Sequence, residues 1–227
     1  MDVKTVFDNL LRNPILIFNI IRIKIISWRL SKKIDGGWGK IIYKDHNVKV
    51  IIEKGANSKI ILDGNLVLNS HLRGRSPIRI LLSDEAILHI KGDFTIGNGV
   101  CISISKNGKL VIGGRKNESD SGITADSTIM VHSKINIGND FICAWGVFIS
   151  DSDWHYIEGQ APQKDVSIGN HVWIANNSNI LKGVEIGNNC IVASNSKLIN
   201  KHFPSNSLIA GIPGNVVKTG ITWKRDL

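Results

Sequence analysis

The fold is decided by a repeat that runs from Ile168 to Phe203 and reads IGNHVW, IANNSN, ILKGVE, IGNNCI, VASNSK, LINKHF. Every one of these hexads opens with an aliphatic residue, and the fifth place of the first five holds a small or aliphatic residue. The openers are Ile168, Ile174, Ile180, Ile186, Val192 and Leu198, and the fifth-place residues are Val172, Ser178, Val184, Cys190 and Ser196. We expect both sets to face inward, because a recurring apolar place marks a buried face.

A period of six matches neither a helix nor a simple alternating strand, but it fits a short flat strand and a corner repeated many times. The same phasing recurs upstream at Ile90, Ile96, Ile102, Ile123, Ile129, Ile135, Ile137, Cys143 and Ile149. Gly169 and Gly187 are predicted to supply the positive φ of the corners, with the many Asn residues as the next most tolerant type. These observations predict an all-β solenoid, and the alternative is the scattered strands of a β-sandwich.

Composition narrows the class of protein. The chain has 227 residues, 42% hydrophobic and 21% charged, with a formal net charge of +9. This excludes a disordered tail, and no stretch of about 18 uncharged apolar residues predicts a membrane span. A basic surface is compatible with nucleic acid, a phosphorylated cofactor or an acidic membrane, but the chain has no basic helix or aromatic-basic interleaving that would favour nucleic acid. Its 3 cysteines show no CxxC spacing, and Cys143 and Cys190 fall at inward-facing places.

The N-terminal part lies outside the repeat. Val6–Asn13 reads as a helical face, and Pro14 interrupts it. The stretch 14–33 is apolar but carries Arg22, Lys24 and Arg29, followed by Lys32 and Lys33. It is either an amphipathic helix at a membrane surface or a helix that packs on the solenoid or a neighbouring subunit. No signal-peptide arrangement is present, so we expect a cytoplasmic protein, peripheral at the inner membrane face under the first alternative.

A polar loop, FISDSDWHYIEGQAPQKDVSIG from Phe148 to Gly169, interrupts the repeat. Loops that leave a rigid scaffold commonly carry catalytic groups. His155 stands among carboxylates and aromatic residues, and a neutral imidazole oriented by a carboxylate such as Asp153 is suited to general-base catalysis. The alternatives are a surface histidine in a polar turn, and a metal site of Asp151, Asp153 and His155, which has no distal ligand signature. No GxSxG sequence indicates a serine nucleophile.

At the other end of the repeat, NKHFPSNSLIAGIPGNVVK runs from Asn200 to Lys218. AGIPG is a turn-forming sequence that would close the last coil as a capping loop. Lys201, His202 and Lys218 place positive charge around this turn, which would suit phosphates. The alternative is an ordinary end of a repeat array with solvated lysines.

At these residues the chain resembles the hexapeptide-repeat acyltransferases, and most of all the sugar O-acetyltransferases. The resemblance covers about 85 residues, from IGND at Ile137 to Lys218. It implies a left-handed parallel β-helix, a homotrimer, and acetyl-CoA bound as acyl donor in a groove between neighbouring helices, with no metal. The expected organisation is a helical, amphipathic segment 1–35, a β-helix 36–218 with a protruding loop 150–167, and a tail 219–227.

The resemblance also assigns roles to residues. His155 matches the family's catalytic histidine, for which Asp153 is the candidate orienting carboxylate. The positions matched to donor binding are Trp173, Asn176 through its backbone N–H, Ser194, Asn200, Lys201 and Lys218. Trp173 either walls the site or covers the outside of a coil where subunits meet. For the acceptor, the candidates are Thr124, Asp126, His132 and Trp154. Thr124 and His132 depart from the Asn and acidic residue of the galactoside enzymes, which puts a simple galactoside acceptor in doubt.

The motifs and the family resemblance together imply acetyl-CoA-dependent O-acetylation of a sugar in a bacterial capsule, O-antigen or precursor. One alternative keeps the donor and changes the acceptor to an amino sugar or a serine hydroxyl. It is weakened because no Gly-rich βαβ fingerprint begins the chain. The other alternative is a β-helix scaffold or binding module without activity, because a fold alone does not establish catalysis.

Overall fold

The computed structural model describes residues 14–45, 48–116 and 120–225. The expected helical face of Val6–Asn13 lies outside these ranges. Within these ranges one helix, α1 (Pro14–Ser31), is followed by 23 strands. In chain order these are β1 (Ile41–Tyr43), β2 (Val50–Lys54), β3 (Lys59–Leu62), β4 (Leu66–Leu68), β5 (Ile78–Leu82), β6 (Ile87–Ile90), β7 (Phe94–Ile96), β8 (Cys101–Ile104), β9 (Lys109–Gly114), β10 (Gly122–Ile123), β11 (Thr128–Val131), β12 (Lys134–Asn139), β13 (Ile142–Cys143), β14 (Phe148–Ser150), β15 (Val166–Ile168), β16 (Trp173–Ile174), β17 (Asn179–Ile180), β18 (Glu185–Ile186), β19 (Ile191–Val192), β20 (Lys197–Leu198), β21 (His202–Phe203), β22 (Ser207–Gly211) and β23 (Gly214–Thr219).

The strands form three sheets, and each strand pairs with the strand three places along the chain. Sheet 1 has the order β1-β4-β7-β10-β13-β16-β19-β22-β23, sheet 2 contains β2, β5, β8, β11, β14, β17 and β20, and sheet 3 contains β3, β6, β9, β12, β15, β18 and β21. Among the described strands, every pair is parallel except β22 with β23. The chain therefore visits the three sheets in turn and stacks one coil on the next. This parallel stacking excludes the sandwich, whose sheets are antiparallel.

The core lies inside the coils, where the hexad places meet. Every opener and fifth-place residue of the Ile168–Phe203 repeat is buried, and so are the upstream openers from Ile90 to Ile149. In each short strand the inward residue is aliphatic and its neighbour faces out, as Ile174 and Trp173 show. The prediction of an inward-facing hexad repeat is confirmed.

The corners agree with the prediction for asparagine but not for the two glycines. Gly169 and Gly187 do not have positive φ, whereas Asn177, Asn189 and Asn195 do, at 58°, 56° and 58°. The glycines are needed for another reason. A Cβ on Gly169 would lie 2.7 Å from the backbone carbonyl carbon of Gly187 in the next coil, so only glycine allows the coils to approach this closely.

Helix α1 covers the first coil. Ile23, Ile26 and Leu30 pack against the core. The hydroxyl groups of Ser31 and Ser27 accept hydrogen bonds from the backbone N–H groups of Ile41 and Tyr43, both at 3.0 Å. These bonds satisfy the outer edge of β1, which would otherwise be free to pair with another chain. One face of the helix therefore packs on the coils, as one of the two alternatives expected.

The far end of sheet 1 is closed by a hairpin instead of the expected capping loop. β22 and β23 pair with Ala210 opposite Asn215 and Gly211 opposite Gly214. Ile212 and Pro213 form the two-residue connection that such pairing permits. Gly214 packs on Leu198, and an added Cβ would lie 2.1 Å from a Leu198 methyl carbon.

In the part of the chain that is described, helices lack the length and hydropathy of a membrane span.

Candidate active site

The loop that contains His155 leaves sheet 2 after β14 and returns to sheet 3 at β15. Its first residue, Asp151, is fully buried. The Asp151 carboxylate accepts hydrogen bonds from the backbone N–H groups of His132, Ser133 and Lys134, at 2.6, 2.8 and 2.7 Å. Asp151 is therefore committed to holding the start of the loop. Across the described ranges, no three His, Cys, Asp or Glu side chains are placed to hold a metal ion.

Asp153 ties the loop to the coil beneath it. Its carboxylate forms an ion pair with Lys182, which also donates a hydrogen bond of 2.6 Å to the carbonyl of Ala161. The backbone N–H of Asp153 donates to the Pro162 carbonyl at 2.8 Å. Within the described residues no hydrogen bond joins Asp153 to His155. The structure thus assigns this carboxylate a partner other than the imidazole it was expected to orient.

Trp154 has an unusual backbone conformation that its side-chain contacts hold in place. Its φ is 65°, and its indole N–H donates to the hydroxyl of Ser150 at 3.1 Å. Its ring lies edge-on to His132, with centroids 5.7 Å apart. Positive φ in a bulky residue is strained and is held only by such surrounding contacts. The next residue, His155, is exposed. The structure therefore brings together two predicted site residues, His132 and Trp154, and His155 directly follows Trp154 in the chain.

A second group of predicted residues lies at a different corner, where sheet 1 passes to sheet 2. Trp173 faces outward from β16 and is 39% exposed, and Asn176 follows it in the turn. The Ser194 hydroxyl donates to the side-chain oxygen of Asn176 at 2.7 Å. Within the described residues the backbone N–H of Asn176 donates no hydrogen bond, so it is available to an acceptor atom of a ligand.

These residues line a cleft of about 390 Å³ on the outer face of sheet 1. The lining is mostly small or aromatic and consists of Thr124, Ile142, Ala144, Trp145, Trp173, Ala175, Asn176, Ser194, Trp223, Lys224 and Arg225. Trp145 is 49% exposed and stacks on His71 at 6.1 Å. Thr124, a candidate for contacting the acceptor, lines this cleft, and its hydroxyl donates a hydrogen bond to the Cys143 carbonyl at 3.0 Å. Asp126 stands in the turn between β10 and β11 with φ 44°.

The remaining predicted residues lie elsewhere. Asn200 follows β20, at the same kind of corner as the His155 loop, and accepts a hydrogen bond of 2.9 Å from Lys164 of that loop. Lys201 hydrogen-bonds to the side chain of Asn215 in the hairpin. Lys218 is exposed on β23, opposite Leu208. The six residues expected to bind one donor molecule are thus divided between the two corners and the hairpin.

Sequence reasoning missed the C-terminal segment, which was expected to be a tail. Residues 221–225, here called the strap, fold back over sheet 1 and wall the cleft. Trp223 stacks on His171 with ring centroids 4.0 Å apart and 13° between the planes, and it lies 6.0 Å from Trp173. The signal was Trp223 itself, since so large an apolar ring in a polar tail usually finds a surface to cover. Among the described residues, its indole N–H is the one buried side-chain donor without a hydrogen-bond partner.

Comparison with known proteins identifies the family. Residues 165–200 match the model of the bacterial transferase hexapeptide, six repeats. Polysialic acid O-acetyltransferase of Neisseria meningitidis is 34% identical over 195 residues, covering 82% of this chain and 76% of that protein. The chain belongs to the hexapeptide-repeat transferase family. It is therefore an acyltransferase by descent, as the sequence predicted.

Two further proteins are similar to this chain over most of its length. A 24.8 kDa protein of the cps region of Klebsiella pneumoniae is 28% identical and covers 82% of this chain and 84% of that protein. The crystal structure of the polysialic-acid-specific acetyltransferase NeuO covers 86% of this chain and 90% of its own, with a TM-score of 0.51 and 22% identity. At that identity the likeness shows a shared fold.

Proposed function

We propose that this protein is an acetyl-CoA-dependent O-acetyltransferase that modifies a sugar hydroxyl of a bacterial surface polysaccharide or its precursor. The relative from Neisseria meningitidis, 34% identical, is named polysialic acid O-acetyltransferase, which supports this class of reaction and acceptor. The proposal is supported by the position of the candidate residues, which lie at two different corners of the coils. An exposed histidine stands on a braced loop at one corner, and an open cleft with an unpaired backbone N–H stands at another.

This division supports a homotrimer of left-handed β-helices. His155 lies where sheet 2 passes to sheet 3, and Asn176 lies where sheet 1 passes to sheet 2, so one subunit does not bring them together. Side-by-side packing of three prisms places unlike corners of neighbours against each other. Each of three sites would then take His155 from one subunit and the cleft from the next.

The cleft is suited to the acyl donor. Trp173 and Trp223 present apolar surface to a pantetheine arm, and Lys224 adds a positive charge to the lining, which suits the phosphates of the donor. The Asn176 N–H would donate to the thioester carbonyl oxygen, with Ser194 holding the turn. A fixed donor of this kind typically contributes about 3 kcal/mol to stabilising the transition state.

The proposed chemistry is direct transfer. Neutral His155 accepts the proton of the sugar hydroxyl as that oxygen forms a bond to the acetyl carbon. The bond between this carbon and the sulfur of CoA breaks, and the imidazolium returns the proton to the leaving thiolate. The products are the acetyl ester and CoA, and the histidine is again neutral. His132 and Trp154 beside the loop, with Thr124 and Asp126 on sheet 1, would contact the acceptor.

The test of the chemistry is His155→Ala, assayed by release of CoA with acidic capsular glycans as acceptors. Loss of a general base is expected to lower kcat by about 10²- to 10⁴-fold. The matched control is His89→Ala, which removes another outward-facing imidazole, paired with Asp63 at 2.6 Å, from β6 in sheet 3. Equal activity of His155→Ala and the parent would exclude the proposed base.

The test of the shared site is complementation. Chains carrying His155→Ala and chains carrying Trp173→Ala are each expected to be impaired as homotrimers. A mixed trimer made by co-expression regains one intact site, because one interface combines the intact histidine with the intact cleft. Mixed trimers no more active than either parent variant would contradict a site between subunits.

We further propose a cytoplasmic enzyme that contacts the membrane through the outer face of α1. Opposite the packed residues, Phe18, Ile25 and Trp28 are 65%, 44% and 60% exposed, one or two turns apart along the helix. Arg29 and Lys24 flank this stripe, and the helix contains no acidic residue. Exposed apolar residues bordered by cations are typical of helices that lie in an anionic membrane surface.

Flotation with vesicles of phosphatidylglycerol and phosphatidylcholine tests this contact. The triple variant Phe18→Ser, Ile25→Ser, Trp28→Ser is expected to stay in the soluble fraction, while the parent floats with the anionic vesicles and stays behind with pure phosphatidylcholine. Because these side chains face solvent, the variant should keep the parent's unfolding transition. A parent that fails to float would refute the membrane proposal without affecting the catalytic one.

A further inference from the structure

The strap crosses the coils of sheet 1 in an extended conformation. The residues it touches in order are Asn206, Asn189, His171 and Asp120, which stand in the turns before β22, β19, β16 and β10. β22 and β10 are separated by four strand spacings, or about 19 Å. Five extended residues span about 14 Å between their end Cα atoms. The side chain of Arg225 makes up the remaining distance.

Stacking and a hydrogen bond hold the middle of the strap. Trp223 lies face to face on His171, whose ring nitrogen is 3.1 Å from the backbone carbonyl of Trp223. Upstream, Ile221 donates to the Asn206 carbonyl at 3.0 Å. Of the described residues after Trp223, only Arg225 forms a hydrogen bond with a coil, through its side chain. The aromatic stack is therefore the anchor that sets where Arg225 lies.

Arg225 stands at the junction of two cavities. The cleft of about 390 Å³ described above and a second cavity of about 180 Å³ share Thr124, Ile142 and Arg225 as lining residues. The second cavity continues toward the N-terminal coils, where Ser70 and His71 line it. A substrate that extends from one cavity into the other therefore comes within reach of Arg225.

The guanidinium retains donors for such a substrate. Its Nη1 donates to the Asp120 carbonyl at 2.9 Å, which uses one of five N–H groups. The Asp120 carboxylate is 3.8 Å away, beyond hydrogen-bond distance, and it is 71% exposed and also 3.9 Å from Arg115. Such a solvated pair is weak. Lys224 and Arg225 outnumber Asp120 in the two cavities, which favours an anionic ligand.

We propose that Arg225 is a specificity-determining residue that binds an anionic group of a substrate where the two cavities meet, and that the stack of Trp223 on His171 positions it. The inference rests on the proposed function, since it presumes that donor and acceptor use these cavities. The anionic group is either a carboxylate of the acceptor glycan or a phosphate of the acyl donor. Both present oxygen pairs that a guanidinium fork binds.

Calorimetric titration of the full-length protein separates the two sources. The probes are CoA, a polysialic acid hexamer and the same hexamer with its carboxyl groups reduced. Arg225→Gln is expected to weaken binding of one anionic probe by about tenfold or more. Weaker binding of the acidic hexamer alone identifies a carboxylate, and weaker binding of CoA alone identifies a phosphate. The control is Arg79→Gln, which removes the same charge from the outer face of β5 in sheet 2.

The proposal would be overturned if Arg225→Gln bound CoA and the acidic hexamer as tightly as the parent does. It would also be overturned if the affinity for CoA were unchanged and neither protein bound the hexamer. For the anchor, Trp223→Ala should reproduce the loss seen with Arg225→Gln, and the double variant should bind no more weakly. Trp223→Phe keeps a stacking ring and should bind like the parent. The catalytic proposal is tested by turnover of His155→Ala and this one by equilibrium binding to the parent and the Arg225 and Trp223 variants, so the failure of one is distinguishable from the failure of the other.

Discussion

The carboxylate of Asp153 forms an ion pair with the ammonium group of Lys182, and this pair joins the loop that contains His155 to the coil beneath it. The two side chains are only 30% and 14% exposed. Since Lys182 also bonds to the Ala161 carbonyl, it holds both limbs of the loop. Asp153 therefore acts on the position of the loop.

Lys182→Met is expected to lower kcat and to make the loop more sensitive to proteolysis, because both limbs lose their shared contact. Asp153→Asn should have a similar, smaller effect, and a double-mutant cycle should give a coupling free energy of about 1 kcal/mol. Lys109→Met, on the outer face of β9, is the control. A large loss of activity in Asp153→Asn with none in Lys182→Met would show instead that Asp153 serves His155 directly.

Asp151→Ala is expected to destabilise the protein by about 3 kcal/mol or more, because three backbone N–H groups lose a charged acceptor at a buried site. Asp151→Asn should cost less, since one oxygen remains. Urea unfolding measures both values. Asp165→Ala, an exposed change at the end of the same loop, should leave the midpoint nearly unchanged. A small effect of Asp151→Ala would contradict an anchoring role.

The three cysteines should differ in reactivity with iodoacetamide at pH 8. Burial raises the pKa of Cys143 to about 12 and also raises the pKa values of Cys101 and Cys190. Because the thiolate is the reactive form, Cys143 should remain unmodified in the folded protein. Cys101, half-buried on β8, should react first. Peptide mass spectrometry checks the order, with the urea-unfolded protein as the fully labelled reference. Rapid labelling of folded Cys143 would contradict the closed core.

Asp35 should make stability depend on pH in acid. Burial raises the pKa of its carboxyl group, but the hydrogen bonds from Lys54 and the Ile60 N–H outweigh burial and hold the pKa below 3.8. A lowered pKa contributes stability above the unfolded value, which is lost as pH falls through the folded value. Asp35→Asn should therefore unfold at lower urea than the parent at pH 7, and the gap should narrow below pH 3.8. A gap that stays constant from pH 7 to pH 3 would contradict this.

Much of the fold was predictable because a coil is a local repeat. The six-residue spacing of Ile168, Ile174 and Ile180 predicts that they are buried. An interruption of that spacing predicts a loop. The corners were harder to predict. Gly169 is explained by the neighbouring coil, which its own hexad does not reveal.

The hexads alone predict a period of six, an inward-facing aliphatic core, the loop with His155 and the family to which these belong. Contacts between residues far apart in the chain became known from the folded protein. Asp153 meets Lys182, Trp223 meets His171, and the predicted donor-binding residues separate onto two corners. The reason is physical. Hexad periodicity fixes which way a side chain faces within its coil, whereas contacts between coils and with the returning strap depend on how the whole stack closes.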